Sequence, residues 1–233
     1  MTPVVGVVFA RGGSKGLARK NAQELGGVPL LGLAVDQAWQ ARGVERVLVS
    51  TDDEELASVA RDHGAEVPWL RPAELATDAS PEWASWQHAA AWWRDEGLPA
   101  ETVFLSVPAT APLRAVDDLD ACVEVLRSSS ADLVLTVTSV RRNPYFTMLR
   151  PEPDGTVRLL ADGAPVTRRQ EAPELYDITP VAYATTLGHV VAATGLFDGR
   201  VRPVVVPAER AVDIDDGFDL HLARLLHDHP YEP

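Results

Sequence analysis

Residues 4–21 read VVGVVFARGGSKGLARKN. The first six, Val4–Phe9, form an unbroken apolar run rich in β-branched residues. That is the pattern of a strand buried on both faces of a parallel sheet. The chain then turns glycine-rich and basic. Of the 21 Lys and Arg residues in the protein, two are lysines, leaving 19 arginines, and both lysines, Lys15 and Lys20, fall in this one loop. A strand running into Gly12-Gly13-Ser14, with Arg11, Lys15, Arg19 and Lys20 close by, suits a polyanion. Glycines let backbone N–H groups approach phosphate oxygens, and the cations add charge-assisted contacts. Lysine offers a compact charge on a flexible stem, which fits a moving phosphate better than a rigid guanidinium does. The loop is neither a GxxxxGK[ST] nor a GxGxxG motif. A solvated basic turn is the plain alternative, and the confinement of lysine to the loop speaks against it.

Working outward, strand and helix signals alternate. Pro29–Arg42 has helical apolar spacing, with a proline near its start and Gly43 just past its end. Glu45–Thr51 reads as a strand, and Asp52–Gly64 as a helix that opens with acids. Glu82–Glu96 reads as a helix whose tryptophans at 83, 86, 92 and 93 suggest a packed face. Then follow the strand TVFLSV (102–107), the helix VDDLDACVEVLRSS (116–129) and the strand DLVLTVTSV (132–140). This order predicts an α/β fold with a mainly parallel sheet, whose ligands bind at the carboxyl ends of the strands. After Val140 the chain is rich in turns, prolines and charges. Residues 141–180 therefore read as a hairpin-bearing insertion within a single domain spanning 1–233. The core resumes with VAYATT (181–186), a helix over Leu187–Thr194, the strand VRPVVVP (201–207) and a helix over Asp216–Asp228.

The 233 residues are 46% hydrophobic, enough for one substantial core. A net charge of −13 argues against nucleic acid or an anionic membrane as partner, so any anion site is a local basic pocket on an acidic body. The single cysteine, Cys122, excludes an internal disulfide and reads as a small buried hydrophobe. No Cys/His cluster suggests zinc. The start MTPVVGVVFA lacks a basic leader, and no apolar run approaches the roughly 20 residues of a spanning helix. A cytoplasmic location is expected. The six histidines are scattered, and none is given a catalytic role.

A second constellation lies in AVDIDDGFDL (211–220). Asp213 and Asp215 alternate on an extended segment and so share a face. Two carboxylates on one face would seat Mg²⁺ together with substrate phosphates. Capping of the following helix by Asp215 or Asp216 is the alternative.

ARGGSKGLARKN (10–21) resembles the signature loop of the acylneuraminate cytidylyltransferase family. Four further stretches agree in order: RVLVSTDDEELASVARDHGAEVPWLRPAELATD (46–78), APLRAVDDLDACVEVL (111–126), RRQEAPELY (168–176) and VDIDDGFDL (212–220). The likeness covers nearly the whole chain. It implies a three-layer Rossmann-like nucleotidyltransferase fold with a small dimerisation insertion, homodimerisation, and transfer of CMP from CTP to an acidic sugar with Mg²⁺. It implies that Arg11 and Lys20 act on the reacting phosphates. Arg11, Gly13, Ser14, Lys15, Lys20, Asn21, Arg71 and Ser80 would bind nucleotide. Arg169 and Gln170 would lie near the acceptor, and Asp213 and Asp215 would hold the metal. Departures cluster on the acceptor side. PATAPLR (108–114) stands where the family reads QPTSPLR, and DITPVAY (177–183) where it reads RxNGAIY. Pro81 and Glu82 replace serines. A smaller acceptor such as a phosphonate is therefore an alternative. So are a glycosyltransferase using Asp213-Ile-Asp215 as a DxD motif, and a nucleotide binder without turnover.

Overall fold

The structure, a computed structural model, describes residues 2–77, 79–161 and 172–231. β1 (Val4–Phe9) lies inside a six-stranded sheet. The order is β10 (Val201–Val205), β6 (Leu133–Ser139), β9 (Tyr176–Thr186), β5 (Val103–Ser106), β1 and β4 (Val44–Ser50). β1 pairs in parallel with β4 and β5, and β6 with β10. β9 runs antiparallel between β5 and β6. The mainly parallel α/β sheet is thus as read from the sequence, with one reversed strand.

β9 begins at Tyr176, inside the segment read as insertion. Its first half is hard to recognise because Pro180 interrupts it, and a strand proline is tolerated at bulges. The register with β6 slips between Leu135 and Val137. Thr136 repairs the ladder there: its hydroxyl donates to Thr179 O at 2.8 Å and accepts from Ala182 N at 3.0 Å. The rest of the turn-rich segment carries the expected hairpin, β7 (Leu149–Pro151) against β8 (Val157–Leu159).

Side chains of β1 alternate between two apolar layers. Val4 and Val8 pack with α1 (Leu30–Gln40), α2 (Glu54–Asp62) and α4 (Val116–Ser128) on one face. Val5 and Val7 pack with α3 (Glu82–Asp95) and α5 (Leu187–Ala192) on the other. These are the three layers. Trp83, Trp86 and Trp93 are buried on α3, and Trp92 is half-buried, with the Arg46 guanidinium over the Trp92 and Trp93 rings. Cys122 is buried in α4, and burial pushes its thiol up to about 12. α6 (Gly217–Asp228) closes a third cluster around Leu25, Leu30 and Ile214. Among the described residues no helix is long and apolar enough to cross a membrane.

From β1 the chain moves first to β4 on one side and then to β5 on the other. The carboxyl ends of β1 and β5 therefore border the crevice that such a reversal of strand order creates.

Candidate active site

The glycine-rich loop crosses this crevice. Gly12 N–H donates to Asp52 Oδ1 at 2.9 Å, and a Cβ on Gly12 would lie 2.6 Å from the Asp53 carboxylate. A Cβ on Gly16 would collide with the carbonyl oxygen of Asp215. The loop therefore lies directly on the segment that carries the paired aspartates, and the glycines permit that approach. Arg19, the one non-glycine residue with positive φ among the described residues (51°), turns the chain into a 3₁₀ turn over Lys20–Ala22. The turn directs Lys20 and Asn21 back toward the end of β1, where Asn21 Nδ2 donates to Arg11 O at 3.0 Å.

Arg11, Lys20, Asn21, Arg71 and Ser80 line one cavity of about 320 Å³. Five residues expected to bind nucleotide, separated by up to 69 positions in sequence (80 − 11), thus share one wall. Gly13, Ser14 and Lys15 are not part of that lining, and Gly13 and Lys15 are exposed on the loop. Arg71 is buried: its Nη2 donates to Ser50 O at 3.1 Å and its Nη1 to Ser85 Oγ at 3.3 Å. Burial, with Arg11 nearby, holds its guanidinium below the ordinary arginine value. Among the described residues, Arg71 Nε and Asn21 Oδ1 are buried without a partner. An unsatisfied donor and acceptor at one cavity cost stability unless a ligand meets them.

Asp216 is the helix cap: its Oδ1 accepts from Phe218 N at 2.8 Å and Asp219 N at 3.1 Å. Capping therefore leaves Asp213 and Asp215 for other work. Lys20 Nζ bonds Asp215 Oδ1 at 2.9 Å. Asp213 is half-buried, and its pKa is raised, first by burial and then by the charges of Asp215 and Asp219. A hydrogen bond from Thr110 and the charge of Lys20 oppose the rise. Two adjoining carboxylates, one of them desolvated beyond what its neighbours offset, fit a hard divalent cation. Among the described residues no group of three or more His, Cys, Asp or Glu could hold a metal. An ion held by two carboxylates alone would take its remaining ligands from phosphates and water, as Mg²⁺ can.

Asp213 lines a second, larger cleft of about 880 Å³, together with Thr138, Arg141, Arg142, Asp177, Glu209 and Asp219. Thr110, on the wall of the first cavity, bonds Asp213 on the wall of this cleft, so the two lie side by side. Arg169 and Gln170, expected near the acceptor, lie outside the described residues. Thr110 was not singled out from the sequence, although it holds this junction twice. Its carbonyl accepts from Ile214 N at 2.8 Å, and its side chain bonds Asp213. Its position just past a strand in an α/β sheet was the available signal.

A glycine loop at the switch point of a mainly parallel sheet, beside a cavity lined by Arg11, Lys20 and Arg71 and against the segment that carries two aspartates, defines a nucleotidyltransferase. The chain belongs to the cytidylyltransferase family, whose profile matches residues 5–147, more than half of the 233. It is 28% identical to the post-translational flagellin modification protein B of Campylobacter coli, over 97% of this chain and 95% of that protein. It is 27% identical to the CMP-N,N'-diacetyllegionaminic acid synthase of Campylobacter jejuni, over 97% of this chain and 95% of that protein. Among solved structures, a CMP:2-keto-3-deoxy-manno-octonic acid synthetase complexed with CTP aligns with a TM-score of 0.72 at 15% identity. It covers 99% of this chain and 100% of that one, a likeness of fold.

Proposed function

We propose that this cytidylyltransferase moves CMP from CTP onto an acidic sugar of the nonulosonate class and releases pyrophosphate. The observation that carries the reading is the junction at Lys20 and Asp213–Asp215. There Lys20, on the wall of the smaller cavity, bonds Asp215, two positions from Asp213 on the wall of the larger cleft. The name of the legionaminic acid relative supports a sugar-acid acceptor. A phosphonate acceptor, suggested by Pro108, Thr179 and Pro180, finds no support among the relatives. Thr179 and Pro180 sit at the β9 bulge, where the Thr179 hydroxyl accepts from Val181 N at 3.3 Å.

In the proposed reaction an acceptor hydroxyl oxygen attacks the α-phosphorus in line. The new O–P bond forms as the bond from the α-phosphorus to the bridging oxygen breaks, pyrophosphate departs with the electron pair, and the hydroxyl proton is released to water. Lys20 and Arg11 would neutralise charge on the non-bridging oxygens. Asn21 would hold the nucleoside end of the loop, and Arg71 would meet the base or ribose. Asp213 and Asp215 would hold Mg²⁺, which supplies charge neutralisation on the triphosphate. Thr110 would keep Asp213 in place. Arg141 and Arg142 of the larger cleft, with Arg169 and Gln170, would offer charge and hydrogen bonds to the acceptor's carboxylate. A homodimer working in the cytoplasm, where CTP is made, completes the reading.

Pyrophosphate release from CTP with Mg²⁺, run with N,N'-diacetyllegionaminate, N-acetylneuraminate and phosphonoformate, tests it. Turnover with a sugar acid is expected. Turnover with the phosphonate alone would overturn the acceptor class, and untouched CTP with every acceptor would overturn the reaction.

A further inference from the structure

A cavity that takes a triphosphate should be lined by cations, yet Glu82 is on its wall. Glu82 is the exposed first residue of α3, and it lines the cavity. Beside phosphate oxygens such a carboxylate would only repel. It therefore has to face an uncharged part of the ligand. Among the described residues its one hydrogen bond comes from Trp86 Nε1, at 3.3 Å to Oε1. That indole is fixed in turn by stacking on Phe9, with ring centroids 6.1 Å apart and planes within 8°. The carboxyl is thus held in place and not used up.

The charged neighbour of Glu82 on this wall is Arg71. Ser50 O and Ser85 Oγ orient the Arg71 guanidinium, and its buried Nε has no partner among the described residues. Ser85 lies one helical turn after Glu82, so the same face of α3 supplies the carboxyl and the anchor of the guanidinium. The wall offers a donor set beside an acceptor. Cytosine presents the complement along one edge: a carbonyl oxygen and a ring nitrogen that accept, beside an exocyclic amino group that donates. Uracil reverses the last two, placing a carbonyl oxygen where the amino group would be and an N–H at the ring nitrogen.

We propose that Glu82 is the base-selecting residue of this enzyme, accepting a hydrogen bond from the exocyclic amino group of cytosine while Arg71 serves the acceptor side of the ring. The proposal rests on the assignment of this cavity to CTP. It adds the group that tells cytosine from uracil, since a uracil oxygen against the carboxylate would leave two acceptors facing each other. The competing reading is that Glu82 accepts from a ribose hydroxyl.

The test is direct binding, which needs no acceptor substrate: titration calorimetry of CTP, UTP and dCTP with Mg²⁺ against the unaltered protein, Glu82→Gln and Glu82→Ser. The position is exposed on a first helical turn, so both variants are expected to fold. The unaltered protein should prefer CTP over UTP. Glu82→Gln, whose amide adds a donor, should lower that preference by about 10- to 100-fold, partly through tighter UTP binding. Glu82→Ser should lower it mainly by weakening CTP. The CTP-to-dCTP ratio should not move. An unchanged CTP-to-UTP ratio in both variants would overturn the proposal, as would loss of CTP-to-dCTP discrimination in its place, which would put Glu82 on the ribose. Failure of the unaltered protein to bind CTP at all would remove the cavity's assignment, and the proposal with it.

Discussion

At the residue scale, Lys20 is paired in this state with Asp215, whose side chain is 76% exposed. The Lys20 side chain is 15% exposed, so water reaches the pair from the Asp215 side, where an incoming triphosphate can displace the carboxylate and take the cation. Lys20→Ala should therefore lower kcat by about 100-fold or more while barely moving the melting temperature. Near-normal pyrophosphate release would take Lys20 out of the mechanism. Asp213 carries a second expectation. Burial and the Asp215 charge raise its folded pKa above the ordinary carboxylate value, so the folded state holds the proton more tightly than the unfolded chain. Without metal, stability should then fall as pH rises from the ordinary aspartate range through the raised value. Asp213→Asn removes that ionisation. It should melt higher than the unaltered protein at neutral pH in chelator, with the gap closing below the ordinary aspartate range, and it should be inactive. Equal melting curves at every pH would show that Asp213 carries no such strain. Arg11, Lys20, Asn21, Arg71 and Ser80 were legible because each lies in a short contiguous motif. Thr110 was not singled out, and Glu82 registered only as a departure. Each acquires meaning only when the end of β5 and the start of α3 face the same loop, and no local pattern encodes that meeting.

At the scale of elements, α3 links the core to the cavity. The Trp86 ring lies 6.1 Å from Phe9, 5.4 Å from Phe104 and 5.5 Å from Tyr183, and its indole N–H holds Glu82. Trp86→Ala should cost about 3–5 kcal/mol in urea unfolding, because the void sits among stiff aromatic neighbours. It should also weaken CTP binding through Glu82. Trp92→Ala, at a half-buried site on the outer end of the same helix, should leave CTP binding unaltered. Equal losses of CTP binding in the two variants would mean that the effect is general loosening. Strands β1, β5 and β6 were readable because burial on both faces leaves predominantly apolar, β-branched runs. The first half of β9 was not, because Pro180 breaks the run and the compensating bonds come from Thr136, 44 positions earlier (180 − 136). The two-residue strands at Glu24–Leu25 and Val28–Pro29 are too short to leave a periodic trace.

At the scale of the whole molecule, an acidic body with net charge −13 carries a ribbon that does not pay its own way. In β7–β8, Leu149 pairs with Leu159 and Pro151 with Val157, so these four residues share one face. Arg150, Glu152 and Arg158 occupy the other, where Glu152 accepts from Arg158 Nε at 2.6 Å and from Arg150 Nε at 3.3 Å. Leu149 and Val157 are each 58% exposed. A two-stranded ribbon is marginal by itself in water, and an apolar face on it is stabilised when something covers it. A second copy of the chain is the occupant expected from the family resemblance. Light scattering should then give twice the mass of the 25.2 kDa chain, and the double substitution Leu149→Asp, Val157→Asp should give 25.2 kDa. The cavity proposed to take CTP is built from β1, α3 and loops remote in sequence from the ribbon, so the variant should still bind CTP. If that monomer binds CTP but no longer transfers CMP, the acceptor side is completed across the dimer. If it turns over normally, each chain carries a whole site and the ribbon serves assembly alone. A mass of 25.2 kDa for the unaltered protein would refute the dimer and leave the apolar face of β7–β8 to a different cover.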